Sequence, residues 1–281
     1  MPGYTHSLLA GLERLKAAEA PLRRWVLPDR FHRVEVETAS RCNRGCYYCP
    51  VATTPRPDHR MEEATFDHIL DQLAALRFRG RFSPHFYGEP LLDPRLPAWM
   101  AKVRRKLPGA RILIYSNGDA LTPKMAQALL DAGVDLVLLT LEDGEPKAWK
   151  ETQAALPART VRRRFIVRHF DRDVPRPFNR GGSVLFPGRE HHQKTCVLPA
   201  STLVIDAWGK VKLCANDYFG EEDWGDVHTT PLAALWADPR YVKLRRDLLH
   251  GRFEKPICRV CTGRAEAPAP LTVNPPRSAS T

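Results

Sequence analysis

Seven cysteines, at positions 42, 46, 49, 196, 214, 258 and 261 of a 281-residue chain, fall into two groups with none between. An odd count argues against a disulfide framework. So does the first 20 residues' lack of a basic-then-apolar export pattern, and a reducing, cytoplasmic setting is predicted. Clustered thiols in such a setting are metal ligands. The first group, Arg41-Cys42-Asn43-Arg44-Gly45-Cys46-Tyr47-Tyr48-Cys49-Pro50, has the spacing C-x3-C-x2-C. Zinc takes four donors, so this group would need a further ligand such as His59. A 4Fe–4S cluster held by three cysteines leaves one iron open to a small molecule. The second group supplies four thiolates and closes a site, for zinc or for an iron–sulfur cluster. Spacing alone does not separate those two.

The rest of the chain sets a scaffold around these groups. Residues 5–26 carry a leucine stripe at helical spacing and predict a short N-terminal helix. An alternating strand over 31–38 leads straight into the cysteine loop. Then helices over 61–76, 95–107, 122–131 and 145–155 alternate with strands over 81–87, 110–115, 134–140 and 161–168. Such alternation makes parallel strands with right-handed crossovers. About five or six of them form a partial (β/α) barrel, an α/β fold. A Pro-, Gly- and Arg-rich stretch over 171–195 reads as a linker and active-site loop. Beyond it come a hairpin over 201–214 and a helix over 231–250. The predicted organisation is a helical segment over 1–30, a partial barrel over 31–180, a small C-terminal domain of hairpin and helix over 181–263, and a disordered tail over 264–281.

No apolar run approaches the roughly 18 residues of a membrane span. Lys and Arg number 43 against 32 Asp and Glu, a net charge of +11. That surplus favours an anionic partner, and a small phosphorylated molecule is favoured over nucleic acid because the basic residues are spread along the chain.

The first cysteine group, with aromatic Tyr48 before its last member and a strand directly before it, resembles the signature of the radical S-adenosylmethionine (SAM) enzymes. That resemblance implies a 4Fe–4S cluster whose open iron binds SAM, and a 5′-deoxyadenosyl radical that abstracts hydrogen from substrate. It also implies a flavodoxin or ferredoxin-like electron donor. Tyr87-Gly88-Glu89-Pro90 resembles the family's GGEP motif, with Tyr87 in place of the first glycine, and places Gly88, Glu89 and Pro90 at the SAM amino group. Ser116-Asn117-Gly118 resembles the segment that bonds the SAM ribose and carboxylate. Thr140 and Glu142 resemble its Ser-x-Asp position. The second cysteine group is similar to the twitch domain, the half-length form of the SPASM extension, and implies an auxiliary 4Fe–4S cluster with every iron ligated.

The resemblance assigns all seven cysteines and leaves no thiol to return a hydrogen atom, as radical epimerases commonly require. A fully ligated cluster can instead accept an electron. The expectation is therefore a dehydrogenase-like oxidoreductase that turns a carbinol of a sugar, aminocyclitol or nucleotide sugar into a ketone. Epimerisation of a carbohydrate and modification of a ribosomal peptide are the alternatives. Arg180, on the loop entering the C-terminal domain, and Arg168 and His169, ending the fifth strand, are the candidate substrate residues.

Overall fold

Val34 and Val36 alternate with charged Arg33 and Glu35, and strand β1 (Arg33–Val36) buries both valines completely on one face. The computed structural model describes residues 30–142, 144–170, 179–184 and 193–266. The predicted N-terminal helix and most of the predicted 171–195 loop and C-terminal tail lie outside them.

After β1 the chain alternates as its pattern requires: α1 (Glu63–Ala75), β2 (Arg81–Ser83), α2 (Leu96–Lys106), β3 (Arg111–Ser116), α3 (Pro123–Asp131), β4 (Leu136–Leu141), α4 (Lys147–Ala155), α5 (Ala158–Arg164) and β5 (Phe165–His169). The C-terminal part contributes α6 (Leu198–Ser201), β6 (Thr202–Ile205), β7 (Val211–Lys212), α7 (Leu232–Ala237), α8 (Pro239–Leu249) and α9 (Pro256–Cys261). Local chemistry sets several of these boundaries. Thr122 caps α3 by accepting from the Met125 amide at 3.2 Å, and Pro123 opens its first turn.

Strand order is β5-β4-β3-β2-β1-β6-β7 in one open sheet. The first six strands are parallel and β7 is antiparallel to β6. One face is dry: Val34, Val36, Phe82, Ile112, Ile114 and Leu139 join the helices' Phe66, Leu70, Trp99 and Leu129 in one core. The opposite face carries a small cluster of Leu113, Leu138 and Ile166, with Tyr115 packed against it. No described helix is long and apolar enough to cross a membrane.

Three expectations need correction. The strand expected over 161–168 begins only at Phe165, because residues 158–164 are helical. Arg162, Arg163 and Arg164 fill the last turn of α5, where the helix dipole favours cations. The strand expected over 81–87 stops at Ser83, since Pro84 has no amide to donate to the ladder. The helix expected over 231–250 is two helices broken at Asp238-Pro239. Proline cannot continue the first helix, and Asp238 caps the second through the Arg240 amide at 2.7 Å. The expected C-terminal hairpin forms from β6 and β7 and joins the main sheet. β6 pairs with β1 from Arg33↔Thr202 to Val36↔Ile205, so it is the sixth parallel strand.

Candidate functional site

The cysteine loop leaves β1 and closes on itself at a neck. Ser40 donates to the Pro57 carbonyl at 2.6 Å and accepts from the His59 amide at 2.9 Å. Within the loop, Cys49 donates its amide to the Cys46 carbonyl at 2.9 Å and opens a 3-10 turn at Pro50. The loop is pinned to the segment after β3. Asn43 and Arg44 each donate to Asp119 at 2.7 Å, Arg44 with a second bond to the same carboxylate. Asn117 donates to Asn43 at 2.9 Å and accepts from the Asp119 amide at 2.9 Å. Motif reading passes over Asn43, Arg44 and Asp119, which hold this loop in place.

Burial pushes the three thiols up, Cys42 to about 11, with Cys46 raised further by the adjacent Glu142 carboxylate. These sulfurs become thiolates only where a positive centre compensates, as iron does. Among the described residues no three His, Cys, Asp or Glu side chains close on a point as a single metal ion requires. His59 does not join the cysteines: its ring stacks on Trp208 at 4.9 Å. The donor set fits a multi-iron cluster, which takes thiolates at separate irons.

The segment after β2 lies against this loop. Glu89 donates its amide to the Arg41 carbonyl at 2.8 Å. A Cβ at Gly88 would sit 1.7 Å from the Ala39 carbonyl oxygen, so only glycine permits the approach. The Glu89 carboxylate accepts from Ser116 Oγ at 2.8 Å, the Asn117 amide at 2.9 Å and the Leu91 amide at 3.1 Å. Burial pushes its pKa up against the pull of these donors. Glu89 thus ties Gly88-Glu89-Pro90 to Ser116-Asn117, and Pro90 starts a 3-10 turn. A hub unread from the sequence lies beneath: buried Glu37 accepts from the amides of Tyr87 at 3.0 Å, Gly88 at 2.9 Å and Ala207 at 3.2 Å, and from Arg56 at 2.9 Å.

Thr140 and Glu142 end β4 on the same rim. Thr140 accepts from Arg168 Nε at 2.7 Å, in register across β4 and β5. His169 stands opposite Leu141. Tyr48 stacks on Phe170 at 3.6 Å with the rings 8° apart. Arg180 donates from Nε to the Tyr48 carbonyl at 2.9 Å, and its guanidinium lies 5.6 Å from the Tyr87 ring centre. Arg180 has a left-handed backbone, φ 46°, followed by Gly181 at 70°, and Asn179 fastens the turn to α9 through the Val260 carbonyl at 2.8 Å. His85, two residues past β2, is the further residue here. Burial, together with the Arg180 and Arg168 charges, holds its pKa down to about 4, and its ring is 5.2 Å from Tyr115. Arg168 and Arg180 thus both lie near His85, which reaches the same corner from the segment after β2.

The second cysteine group also assembles. Cys196 before α6, Cys214 after β7, and Cys258 and Cys261 one turn apart on α9 line one cavity of about 200 Å³. Among the described residues its walls include Leu213 and Phe253 and no charged side chain. Burial and mutual repulsion raise the thiols, Cys258 to about 12 and Cys261 to about 11. Asn216 points its amide nitrogens at Cys214 and Cys261, at 3.4 and 3.8 Å. Four sulfurs in an apolar chamber with amide donors fit a fully ligated cluster.

Comparison with known proteins agrees with this geometry. Residues 36–188 match the Radical SAM superfamily, and residues 196–262 match the SPASM iron-sulfur cluster-binding domain. The chain is 30% identical to the S-adenosyl-L-methionine-dependent 2-deoxy-scyllo-inosamine dehydrogenase of Niallia circulans, over 82% of this chain and 92% of that protein. The crystal structure of BtrN in complex with AdoMet and 2-DOIA superposes with a TM-score of 0.75 at 28% identity, covering 82% of this chain and 92% of that one. Native anSMEcpe with bound AdoMet superposes at 0.55 with 11% identity, over 86% of this chain and 93% of that one, a likeness of fold. With a cysteine group on the loop after β1 and a second lining one cavity beside α9, the chain is an oxidoreductase that uses SAM and two iron–sulfur clusters, and it belongs to the radical SAM superfamily.

Proposed function

We propose that this enzyme is a dehydrogenase that oxidises a secondary alcohol of a small polyol, a cyclitol or a related sugar, to a ketone. One observation carries this reading: the four-cysteine cavity uses every cysteine outside the signature loop. The chain then has an electron acceptor and no thiol to return hydrogen. The likeness to the Niallia circulans dehydrogenase supports an aminocyclitol or close relative as substrate.

In this reading Cys42, Cys46 and Cys49 hold a 4Fe–4S cluster with an open iron, and Cys196, Cys214, Cys258 and Cys261 hold a second one, fully ligated. The bound groups supply a 5′-deoxyadenosyl radical that takes one hydrogen atom from the carbinol carbon, and an acceptor for the remaining electron as the hydroxyl proton leaves. The chain's own residues do the rest. Gly88 brings the Glu89-Pro90 backbone against the cysteine loop, and Glu89 orients Ser116 and Asn117; together they form the SAM cradle. Tyr48, stacked on Phe170, covers the first cluster's loop. Thr140 and Glu142 close its far rim, and Thr140 fixes Arg168. Arg180, held by the Tyr48 carbonyl between the two cysteine sites, faces the substrate and stabilises the oxygen that loses its proton, with Arg168 and His169 beside it. A flavodoxin or ferredoxin-like protein delivers the starting electron.

The test is anaerobic reconstitution, then incubation with SAM, a reductant and a panel headed by 2-deoxy-scyllo-inosamine and scyllo-inositol. The expected result is equal amounts of 5′-deoxyadenosine and a ketone. Equal 5′-deoxyadenosine with an epimer, and no ketone, would refute it.

A further inference from the structure

Arg56 lies on the limb that returns from Cys49, and its environment is unusual for a cation. Its side chain is 13% exposed and pairs with a Glu37 that is 1% exposed. Four aromatic rings surround the guanidinium: Phe86 at 5.4 Å and Tyr87 at 6.0 Å from the barrel, Trp208 at 5.7 Å and Tyr218 at 5.1 Å from the C-terminal domain. The two C-terminal rings also grip the limb on either side. Tyr218 donates to the Thr54 carbonyl at 2.6 Å, and Trp208 stacks on His59 with planes 10° apart. Glu37 meanwhile accepts the amides of Tyr87, Gly88 and Ala207. One buried ion pair therefore meets the cysteine loop, the Gly88-Glu89 segment and the C-terminal hairpin at once. Two charges in so dry a place are stable only while paired and solvated by such donors.

We propose that Arg56 and Glu37 are positioning residues through which the C-terminal hairpin holds the SAM cradle in shape, so that SAM affinity depends on that hairpin. The hairpin then has a second role besides carrying Cys214. Tyr218 follows Cys214 by four residues, and Asp217 between them accepts the Leu213 amide at 3.0 Å, so the auxiliary cysteine and the clamp move as one turn. The inference rests on membership of the radical SAM superfamily and is independent of the reaction outcome.

The experiment uses reconstituted, unreduced full-length enzyme, in which SAM binds without being consumed. SAM dissociation constants are measured by equilibrium dialysis for the parent, Arg56→Met, Glu37→Gln, the double variant and Trp208→Leu. Iron content and melting temperature serve as controls. The EPR spectrum of the reduced first cluster, with and without SAM, reads cradle geometry directly. Arg56→Met and Trp208→Leu should each weaken SAM by about tenfold at unchanged iron content, and the double Arg56→Met/Glu37→Gln variant should be no worse than Arg56→Met alone, since it removes both charges. SAM binding within about twofold of the parent in iron-loaded Trp208→Leu, with an unchanged SAM-induced EPR shift, would overturn the proposal. Should Arg56→Met fail to load iron, Trp208→Leu alone decides, because it leaves the ion pair and all cysteines in place.

Discussion

Replacing Gly88 by alanine tests the closest approach in the SAM cradle. The added Cβ would fall 1.7 Å from the Ala39 carbonyl oxygen and 2.8 Å from its carbon. Both are main-chain atoms, so no rotamer change relieves the overlap. The strand end carrying Ala39 and the segment carrying Gly88 must separate, and the bonds that join them must lengthen: Gly88 amide to Glu37 at 2.9 Å, and Glu89 amide to Arg41 carbonyl at 2.8 Å. Overpacking against backbone belongs at the upper end of its usual cost, about 3 kcal/mol. In a chain of this size that lowers the melting temperature by roughly 6–12 °C. The control is Gly45→Ala, inside the cysteine signature itself. Its Cβ meets nothing nearer than Ala52 Cβ at 3.7 Å, an ordinary contact, so its melting temperature should stay within about 2 °C of the parent. Differential scanning fluorimetry of the purified variants reads both, and equilibrium dialysis reads SAM. If Gly88→Ala melts with the parent, or Gly45→Ala is the more damaging change, the close approach is not what makes position 88 a glycine.

Substituting alanine for both Cys258 and Cys261 should lower reconstituted iron from about eight to about four per chain and leave 5′-deoxyadenosine formation without ketone; ketone at the parent rate would remove the auxiliary site from the reaction. Asp226 feels burial, which raises its pKa, but hydrogen bonds from the His228 amide, Lys210 and the His228 ring outweigh it and hold the carboxyl at about 2. A depressed carboxyl contributes stability present above about pH 4 and lost as pH falls toward 2, so Asp226→Asn should cost about 1 kcal/mol or less at neutral pH and nothing at the acid end, read from urea melts across that range. His85 stays neutral because burial and two arginines hold it near 4. SAM cleavage should therefore show no inflection from it between about pH 5.5 and 8, and a step near pH 6.5 that vanishes in His85→Asn would contradict that environment.

The scaffold was legible wherever a residue's neighbours in sequence settle its fate. Helix α3 announces itself through Thr122, Pro123 and the amphipathic run that follows, and β4 through an almost unbroken apolar stretch. The misses come from competition between local signals. The basic run Arg162–Arg164 precedes a β-branched, aromatic stretch without a break, so periodicity alone placed both in one strand; the helix dipole at the end of α5 separates them. Asp238-Pro239 is the opposite case, a stop signal that lies inside a continuous helical pattern. The junction of β6 with β1 leaves no local trace, because parallel pairing links Arg33 to Thr202 across most of the chain.

The site divides along the same line. Cysteine spacing, Gly88-Glu89-Pro90 and Ser116-Asn117 are short motifs whose chemistry needs their residues close together, so the sequence displays them. Glu37 works by the reverse principle. Its partners lie 19, 50, 51 and 170 residues away, in the cysteine loop, the Gly88 segment and the hairpin. No short window of residues joins Glu37 to any of its partners. The only hint is a second acid in the alternating run Val34-Glu35-Val36-Glu37, at a strand end, where a buried carboxylate is tolerated only if donors converge on it. A charge that costs several kcal/mol to bury unpaired persists where several segments offset it, and here they are the cysteine loop, the Gly88 segment and the C-terminal hairpin. Under the proposal that Arg56 and Glu37 position the SAM cradle, a residue that belongs to neither cysteine site links the segments, and removing its charge together with that of Arg56 should disturb SAM binding no more than removing that of Arg56 alone.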